Sequence, residues 1–345
     1  MKALVLTAYK QFQVQDLPEP TLGPHDVMVR VKACGICGSD VHGMDGSTGR
    51  RQPPIVMGHE ASGVIDRVGA AVSDHRVGER VTFDSTIYNP NSFFSQRGLI
   101  NLCDDRRVLG VSCDDYRQNG AFAELVAVPD HILYALPDGM TFEQAALVEP
   151  VSIAVHARNL TPLAAGDTAI VLGAGLIGLM MVQVLKLTQV QRIIAIDIDD
   201  GKLAIARQVG ASDTVNSATT DAAAAVRAMT DGRGADVAFE AVGIEATIRS
   251  AIASVRKGGA VTLIGNLARD VSLPLQSVVT RQIRLQGSCA SAGEYPECLD
   301  LIASRRIDVD RFISATAPLA EGAQWFDRLY RREPGLMKVV LQPDR

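Results

Sequence analysis

Three short stretches of the chain carry residue types that bind first-row metals. Gly58-His59-Glu60-Ala61-Ser62-Gly63-Val64 sets a histidine beside a glutamate between glycines, with Gly69 and Val72 following. Cys37-Gly38-Ser39-Asp40-Val41-His42 stands upstream, and Glu149-Pro150 downstream. Thiolate, imidazole and carboxylate from separate places in a chain are donors that zinc takes. A core histidine with a chance acidic neighbour explains the central pair but not the other two stretches. Cys34 and Cys37 form Cys-x-x-Cys, yet a zinc ribbon needs a second such pair, which the sequence lacks. A thioredoxin-like pair needs its own βαβ surroundings, so Cys34 reads as a small buried residue ending a strand.

A second constellation suits a dinucleotide. Gly173-Ala174-Gly175-Leu176-Ile177-Gly178 follows the apolar run Ala169-Ile170-Val171-Leu172 and opens a stretch of helical length. In that context Gly173 permits the tight turn, Gly175 lets the backbone approach a pyrophosphate, and Gly178 lets helix and strand pack closely. The helix N-terminus offers free N–H groups to the phosphates. Asp197 ends the next strand at the spacing of a ribose-binding acid, and Ile198, not arginine, follows it. A carboxylate there accepts from both ribose hydroxyls and repels a 2′-phosphate, which favours NAD over NADP. Leu176, Ile177, Val242 and Ile264 complete the expected cofactor contacts.

The elements that must hold these residues are of two kinds. A chain of 345 residues exceeds one comfortable core, and 47% apolar content can fill two. A net charge of −5 without blocks of like charge argues against nucleic acid or an anionic membrane as partner. Residues 1–150 read as β-rich: Val27 to Ala33 alternates, Gly and Pro punctuate at short intervals, and helical periodicity begins only after Thr141, an N-cap. Residues 151–287 alternate strand and helix, which predicts a parallel, doubly wound sheet. The uncharged run Thr168 to Leu185 changes period at its glycines and reads as strand-turn-helix, not a membrane span. Residues 288–345 hold one helix near Pro296 to Ser304 and a final strand, Lys338 to Leu341, and return to the first domain. Sparse cysteines and no signal-like N-terminus suggest a reducing cytoplasm.

With these residues on the page, a family resemblance follows. Gly58-His59-Glu60-x-x-Gly63-x5-Gly69-x-x-Val72 resembles the signature of zinc-dependent medium-chain alcohol and polyol dehydrogenases. Cys37 to His42, Val77-Gly78-Glu79-Arg80-Val81 and Gly234 to Gly243 are similar to further motifs of that family. The resemblance spans the chain and implies an α/β protein, with a GroES-like β-rich catalytic domain around an inserted Rossmann domain. It implies one catalytic zinc on Cys37 and His59, with Glu60 or Glu149 as the carboxylate. Glu149 stands where classical alcohol dehydrogenases have a second cysteine, as in the sorbitol dehydrogenase branch. It also implies that Ser39 is the relay hydroxyl, that Asp40 orients His59, and that His42 passes the proton to solvent through the nicotinamide ribose. The zinc would act as a Lewis acid toward a secondary alcohol, which gives hydride to NAD. A homodimer or homotetramer built on Rossmann domains is the family expectation.

The sequence leaves the pattern in three places. Sorbitol dehydrogenases carry an Arg-Tyr pair where this chain has Ala290-Ser291, and aromatics where it has Gly43-Met44-Asp45, so sorbitol itself is disfavoured. Arg50-Arg51 reads as a solvated loop, with recognition of an acidic or phosphorylated polyol as the sharper alternative. A threonine-type amino-alcohol dehydrogenase would need a partner for its ammonium group, for which Asp45 is a candidate. A non-catalytic dinucleotide-binding protein, or a zinc-free quinone reductase, would not need Cys37, Ser39, His42, His59, Glu60 and Glu149 together. Finally, of the four cysteines that bind a structural zinc in many relatives, three are replaced by Asn89, Ser92 and Ser95, and only Cys103 remains. Neutral Ser and Asn cannot replace thiolates in a tight zinc site. Metal analysis of the purified protein is expected to give one zinc per chain; two would overturn this reading.

Overall fold

The alternating run from Val27 to Ala33 lies within a strand, Asp26–Gly35, in a computed structural model that describes residues 1–344. The chain divides into two compact units, Met1–Glu149 with Ser291–Arg345, and Pro150–Ala290. In the first unit, strand Asp26–Gly35 pairs antiparallel with Glu60–Val68 along one edge. Its other edge meets Leu125–Pro129 and, near Cys34 and Gly35, the last strand, Lys338–Gln342. Arg80–Phe83, Leu133–Ala135 and Ile313–Pro318 complete a seven-stranded sheet. A three-stranded antiparallel sheet of Gln11–Asp16, Lys2–Ala8 and Ile55–Val56 accompanies it. Leu4, Leu6, Val29, Val31, Phe83, Phe122, Phe326 and Leu341 share the core, and each such side chain contributes about 1.5–3 kcal/mol by burial.

The glycine spacing around His59 and Glu60 has a steric cause. A Cβ on Gly63 would lie 2.1 Å from the Arg30 carbonyl oxygen of the neighbouring strand. Gly58 has φ +95°, and a Cβ there would meet the Phe122 backbone nitrogen at 2.9 Å. These contacts fix the register in which Gly35 faces Glu60.

Two helices of this unit depart from the sequence reading. Gly38–Gly43 is helical, although periodicity in this region shows none before Thr141. With six residues and glycine at both ends it has no apolar stripe to read. Gly322–Tyr330 is a second helix in the tail, where the sequence suggests one. Only Gly322 and Phe326 on it are buried, and Phe326 stacks on Phe12 at 4.4 Å and meets Phe122 edge-on at 5.7 Å. The expected N-cap at Thr141 is present as a full capping box with Gln144.

The second unit is a six-stranded parallel sheet in the order Asp213–Asn216, Arg192–Asp197, Thr168–Leu172, Ala235–Glu240, Val255–Leu263, Arg284–Gly287. Strand order reverses at Thr168–Leu172, the switch point where doubly wound sheets bind nucleotides. Helix Asp200–Val209 shows how local signals build this unit. Asp199 caps it by accepting from Gly201 and Lys202, Leu203, Ala206 and Val209 form its buried stripe, and Gly210 follows at φ +129°. Among the described residues, no helix is long and apolar enough to cross a membrane.

One buried acid ties the returning tail to the first unit's sheet. Asp84, just after strand Arg80–Phe83, accepts from the Thr86 N–H at 2.8 Å and the Ser291 hydroxyl at 2.9 Å. Ser291 is therefore turned inward. Burial pushes the Asp84 carboxyl up to about 6; the bonds from Thr86 and Ser291 oppose the rise, and Glu294 adds to it. A carboxyl raised in the folded state holds its proton more tightly there than when unfolded. Its contribution to stability therefore falls as pH climbs from about 4 to 6 and stays low above. Asp84→Asn keeps an acceptor for Thr86 and offers an N–H to Ser291. The variant is expected to gain about 1–3 kcal/mol over the parent above pH 6 and to lose that advantage below pH 4. Urea unfolding of both proteins across that range reads the difference.

Candidate active site

Strand pairing delivers the metal-ligating residues. Glu60 begins its strand opposite Gly35, so His59 and Cys37, just beyond the two strand ends, come together. One ligand atom each of Cys37, His59 and Glu60 lies within 4.8 Å of the others. His59 and Glu60 are buried, and Cys37 is partly exposed. Cys37 also caps the helix Gly38–Gly43: its sulfur accepts from the Ser39 N–H at 3.4 Å and the Ser39 hydroxyl at 3.2 Å. Glu149 stands outside this group of three, in the first turn of helix Val148–Leu160, near enough for its charge to act on all three.

The electrostatics of the group suit a cation. Burial, with the charges of Glu60 and Asp40, pushes the Cys37 thiol up to about 12, against the pull of Lys338 and of the Ser39 hydroxyl. Burial likewise holds the Glu149 carboxyl well above its ordinary value; His59 opposes this, while Glu60 and Cys37 add to it. Lys338 Nζ is buried and donates to Glu60 Oε2 at 2.5 Å and to the Ile36 carbonyl at 3.0 Å. Burial alone would lower its ammonium, but Glu60 and Cys37 together hold it above the usual lysine value. His59 Nδ1 faces Asp40 Oδ2 at 3.5 Å, and neither atom has a hydrogen-bond partner. A ring oriented through Nδ1 presents Nε2 for a metal, the usual arrangement of a ligating histidine and its carboxylate. The donor types, their proximity and the orienting carboxylate all fit a zinc ion.

Ser39 and His42 stand three residues apart on the short helix and so share a face. Ser39 is exposed, while His42 is half-buried and lowered by burial and by Arg332, with Asp45 opposing. Asp45 is already engaged: it accepts from the Ser47 N–H at 2.9 Å and the Tyr330 hydroxyl at 2.9 Å.

The second unit forms the dinucleotide cradle. Gly173 has φ +93°, and a Cβ on Gly178 would lie 1.7 Å from the Gly173 carbonyl oxygen, so both glycines are obligatory. A Cβ on Gly175 would meet nothing within 4 Å, which leaves open space above the N-terminus of helix Leu176–Lys186. Asp197 accepts from the N–H groups of Ala174 at 2.6 Å, Ile198 at 2.8 Å and Asp199 at 3.0 Å. Leu176 and Ile177 are partly exposed at this turn, Val242 packs where a Cβ on Gly173 would stand, and the partly exposed Ile264 donates to the Glu240 carbonyl at 2.8 Å. Glu240 was not anticipated: fully buried, it accepts from the Val242 and Gly243 N–H groups at 2.9 Å and shapes the turn after its strand.

Two further residues escape the sequence reading. Lys338 opens an otherwise apolar strand, and a charge at the head of such a run was the available signal. Arg51 is buried and paired with Asp40, which corrects the solvated-loop reading for that residue. In the lobe that keeps only Cys103 of the four positions, Cys103 Sγ accepts from the Asn89 N–H at 3.4 Å, and the Ser92 hydroxyl donates to Ser95 at 2.9 Å.

Comparison with known proteins agrees with this geometry. Residues 23–138 match the alcohol dehydrogenase GroES-like domain, and residues 177–304 match the zinc-binding dehydrogenase family. Sorbitol dehydrogenase of Bacillus subtilis (strain 168) is 31% identical over 349 residues, covering 100% of this chain and 98% of that protein. The solved structure of a Sinorhizobium meliloti 1021 protein bound to NADP aligns with TM-score 0.89 and 31% identity over 99% of each chain. Galactitol-1-phosphate dehydrogenase of Escherichia coli aligns with TM-score 0.91 and 26% identity, over 99% of this chain and 100% of that one. End-to-end identity at this level places the chain in the zinc-dependent medium-chain dehydrogenase family, on its polyol dehydrogenase branch.

Proposed function

We propose that this dehydrogenase oxidises a secondary alcohol of a polyol, sugar alcohol or sugar acid with NAD, using one zinc per chain. The observation that carries the reading is the convergence of Cys37, His59 and Glu60. Glu60 is the carboxylate ligand in this reading, because Lys338 engages only its Oε2 and leaves Oε1 available. Glu149 stands beside the group as the alternative carboxylate ligand. The metal supplies Lewis acidity toward the alcohol oxygen.

The chain's own residues do the rest. Asp40 fixes the tautomer of His59. Ser39 accepts the hydroxyl proton while His42, on the same helix face, leads it to solvent. NAD⁺ held at the glycine turn would supply the hydride acceptor, so that one alcohol and one NAD⁺ would yield one ketone, one NADH and one proton. Asp197 supports NAD over NADP because its carboxylate would oppose a 2′-phosphate. Asp45, already bonded to Ser47 and Tyr330, makes an amino-alcohol substrate the weaker reading. Family likeness further supports a cytoplasmic homodimer or homotetramer, with residues 1–150 and 288–345 as catalytic domain and 151–287 as cofactor domain.

The test is NAD reduction across polyols, sugar acids, sugar phosphates and threonine, before and after treatment with a zinc chelator. Turnover of at least one polyol or sugar acid, lost on chelation and restored by zinc, is the expected result. Activity indifferent to zinc removal would falsify the metal role. Asp197→Ala is expected to lower kcat/KM with NAD by about 10–100-fold and to narrow the preference over NADP. An unchanged ratio between the two cofactors removes the NAD assignment.

A further inference from the structure

Arg51 is an arginine buried in an unusual place, with no part in the chemistry described above. Its main chain is fixed by a bridge to Ser112: Gln52 N–H donates to the Ser112 carbonyl at 3.1 Å and Ser112 N–H to the Arg50 carbonyl at 3.2 Å. Its stem crosses Gly43, where an added Cβ would come within 2.5 Å of Arg51 Cγ. The guanidinium then meets three different acceptors. Nε and Nη2 reach Asp40 Oδ1 at 2.9 and 2.8 Å, and Nη2 also donates to Ser39 Oγ at 3.3 Å. Nη1 donates to the Arg50 carbonyl at 2.9 Å, so each guanidinium nitrogen has a partner. Asp40 is fully buried, and its other oxygen faces His59.

We infer that Arg51 is a positioning residue that couples the Ser39 hydroxyl to the ligand histidine. A hydroxyl has one hydrogen to donate and two lone pairs to accept with. Arg51 occupies one lone pair of Ser39 and Cys37 Sγ takes its hydrogen, which leaves one lone pair to accept the alcohol proton. The same cation neutralises Asp40, so that a buried carboxylate can remain beside His59 without an unpaired charge. Only a planar fork serves both acceptors at once; a lysine ammonium at the end of a flexible stem does not. The inference rests on the dehydrogenase reading for its Ser39 arm, whereas its His59 arm concerns metal affinity alone.

Arg51→Met and Arg51→Lys separate the two arms. Arg51→Met is expected to weaken zinc about 10–100-fold in competition with a chromogenic chelator. It should also lower kcat for the best polyol about tenfold or more, with KM for NAD held within about twofold. Arg51→Lys still neutralises Asp40, so zinc affinity should stay within about threefold, while kcat per bound zinc falls as in Arg51→Met. In a Ser39→Ala background, Arg51→Lys should lower kcat no further, because the shared partner is already gone. A residue that only props the fold would lower Tm yet leave zinc affinity and kcat per zinc-loaded site unchanged, and that result overturns the inference. If Arg51→Met does not fold, Arg51→Lys and its coupling to Ser39→Ala decide. If the parent oxidises no alcohol at all, the function reading fails, while the chelator competition still judges Arg51.

Discussion

Charge balance at one buried place governs the first unit. Cys37, Asp40, Glu60 and Glu149 bring four acidic groups into or beside a group whose ligand atoms lie within 4.8 Å. Two permanent cations, Lys338 and Arg51, are buried with them. Fully ionised, the six groups retain two negative charges, which one zinc ion would offset. Burial first, and then the neighbouring negative charges, push both Cys37 and Glu149 upward. An isolated charge in such surroundings costs several kcal/mol, so the pairs and the metal must be considered as one unit.

That requirement reaches across the whole first unit. Lys338 and Glu60 are 278 residues apart in sequence, yet their ion pair is the shortest contact at the site. The last strand therefore does more than close the sheet, because it carries the counter-charge for a metal-ligating glutamate. Ser291 and Asp84 tie the start of the same returning segment over a separation of 207 residues. Contacts of such range are costly to close in chain entropy, and they are repaid only once the strands have registered. Gly63 secures that register by steric exclusion, since a Cβ there would run into the Arg30 carbonyl of the neighbouring strand, and Gly58 leaves room for Phe122 just before the strand begins.

The legible parts of the sequence were those where one residue type has one physical use. Gly173, Gly175 and Gly178 follow a strand and open a helix, and each glycine has its own steric or spatial reason in the structure. Cys37, His59 and Glu60 announce themselves as donors, and the parallel sheet follows from alternating strands and helices. Helix Gly322–Tyr330 was illegible because it buries only Gly322 and Phe326 and leaves an otherwise polar or half-exposed pattern. Arg51 was misread because two adjacent arginines in a Gly/Pro-rich loop look solvated, and only the fold shows that one of them faces Asp40. Lys338 and Glu240 share that difficulty: a buried charge is recognisable only once its partner, distant in sequence or on the backbone, is placed.

Asp197 shows how a specificity residue can be bound into the scaffold that presents it. One carboxylate oxygen accepts from Ala174, inside the glycine turn, and the other accepts from Ile198 and Asp199 at the end of its own strand. The acid thus joins two neighbouring parallel strands at their C-terminal ends, where the sheet order reverses. On the proposed assignment the same group reads the ribose, so cofactor preference and the geometry of the pyrophosphate turn are not independent. A substitution that admits a 2′-phosphate also frees the Ala174 N–H, and the turn must then find another partner for it. Discrimination between cofactors in this chain therefore has to be judged as a ratio, because removal of the carboxylate weakens the cradle for both.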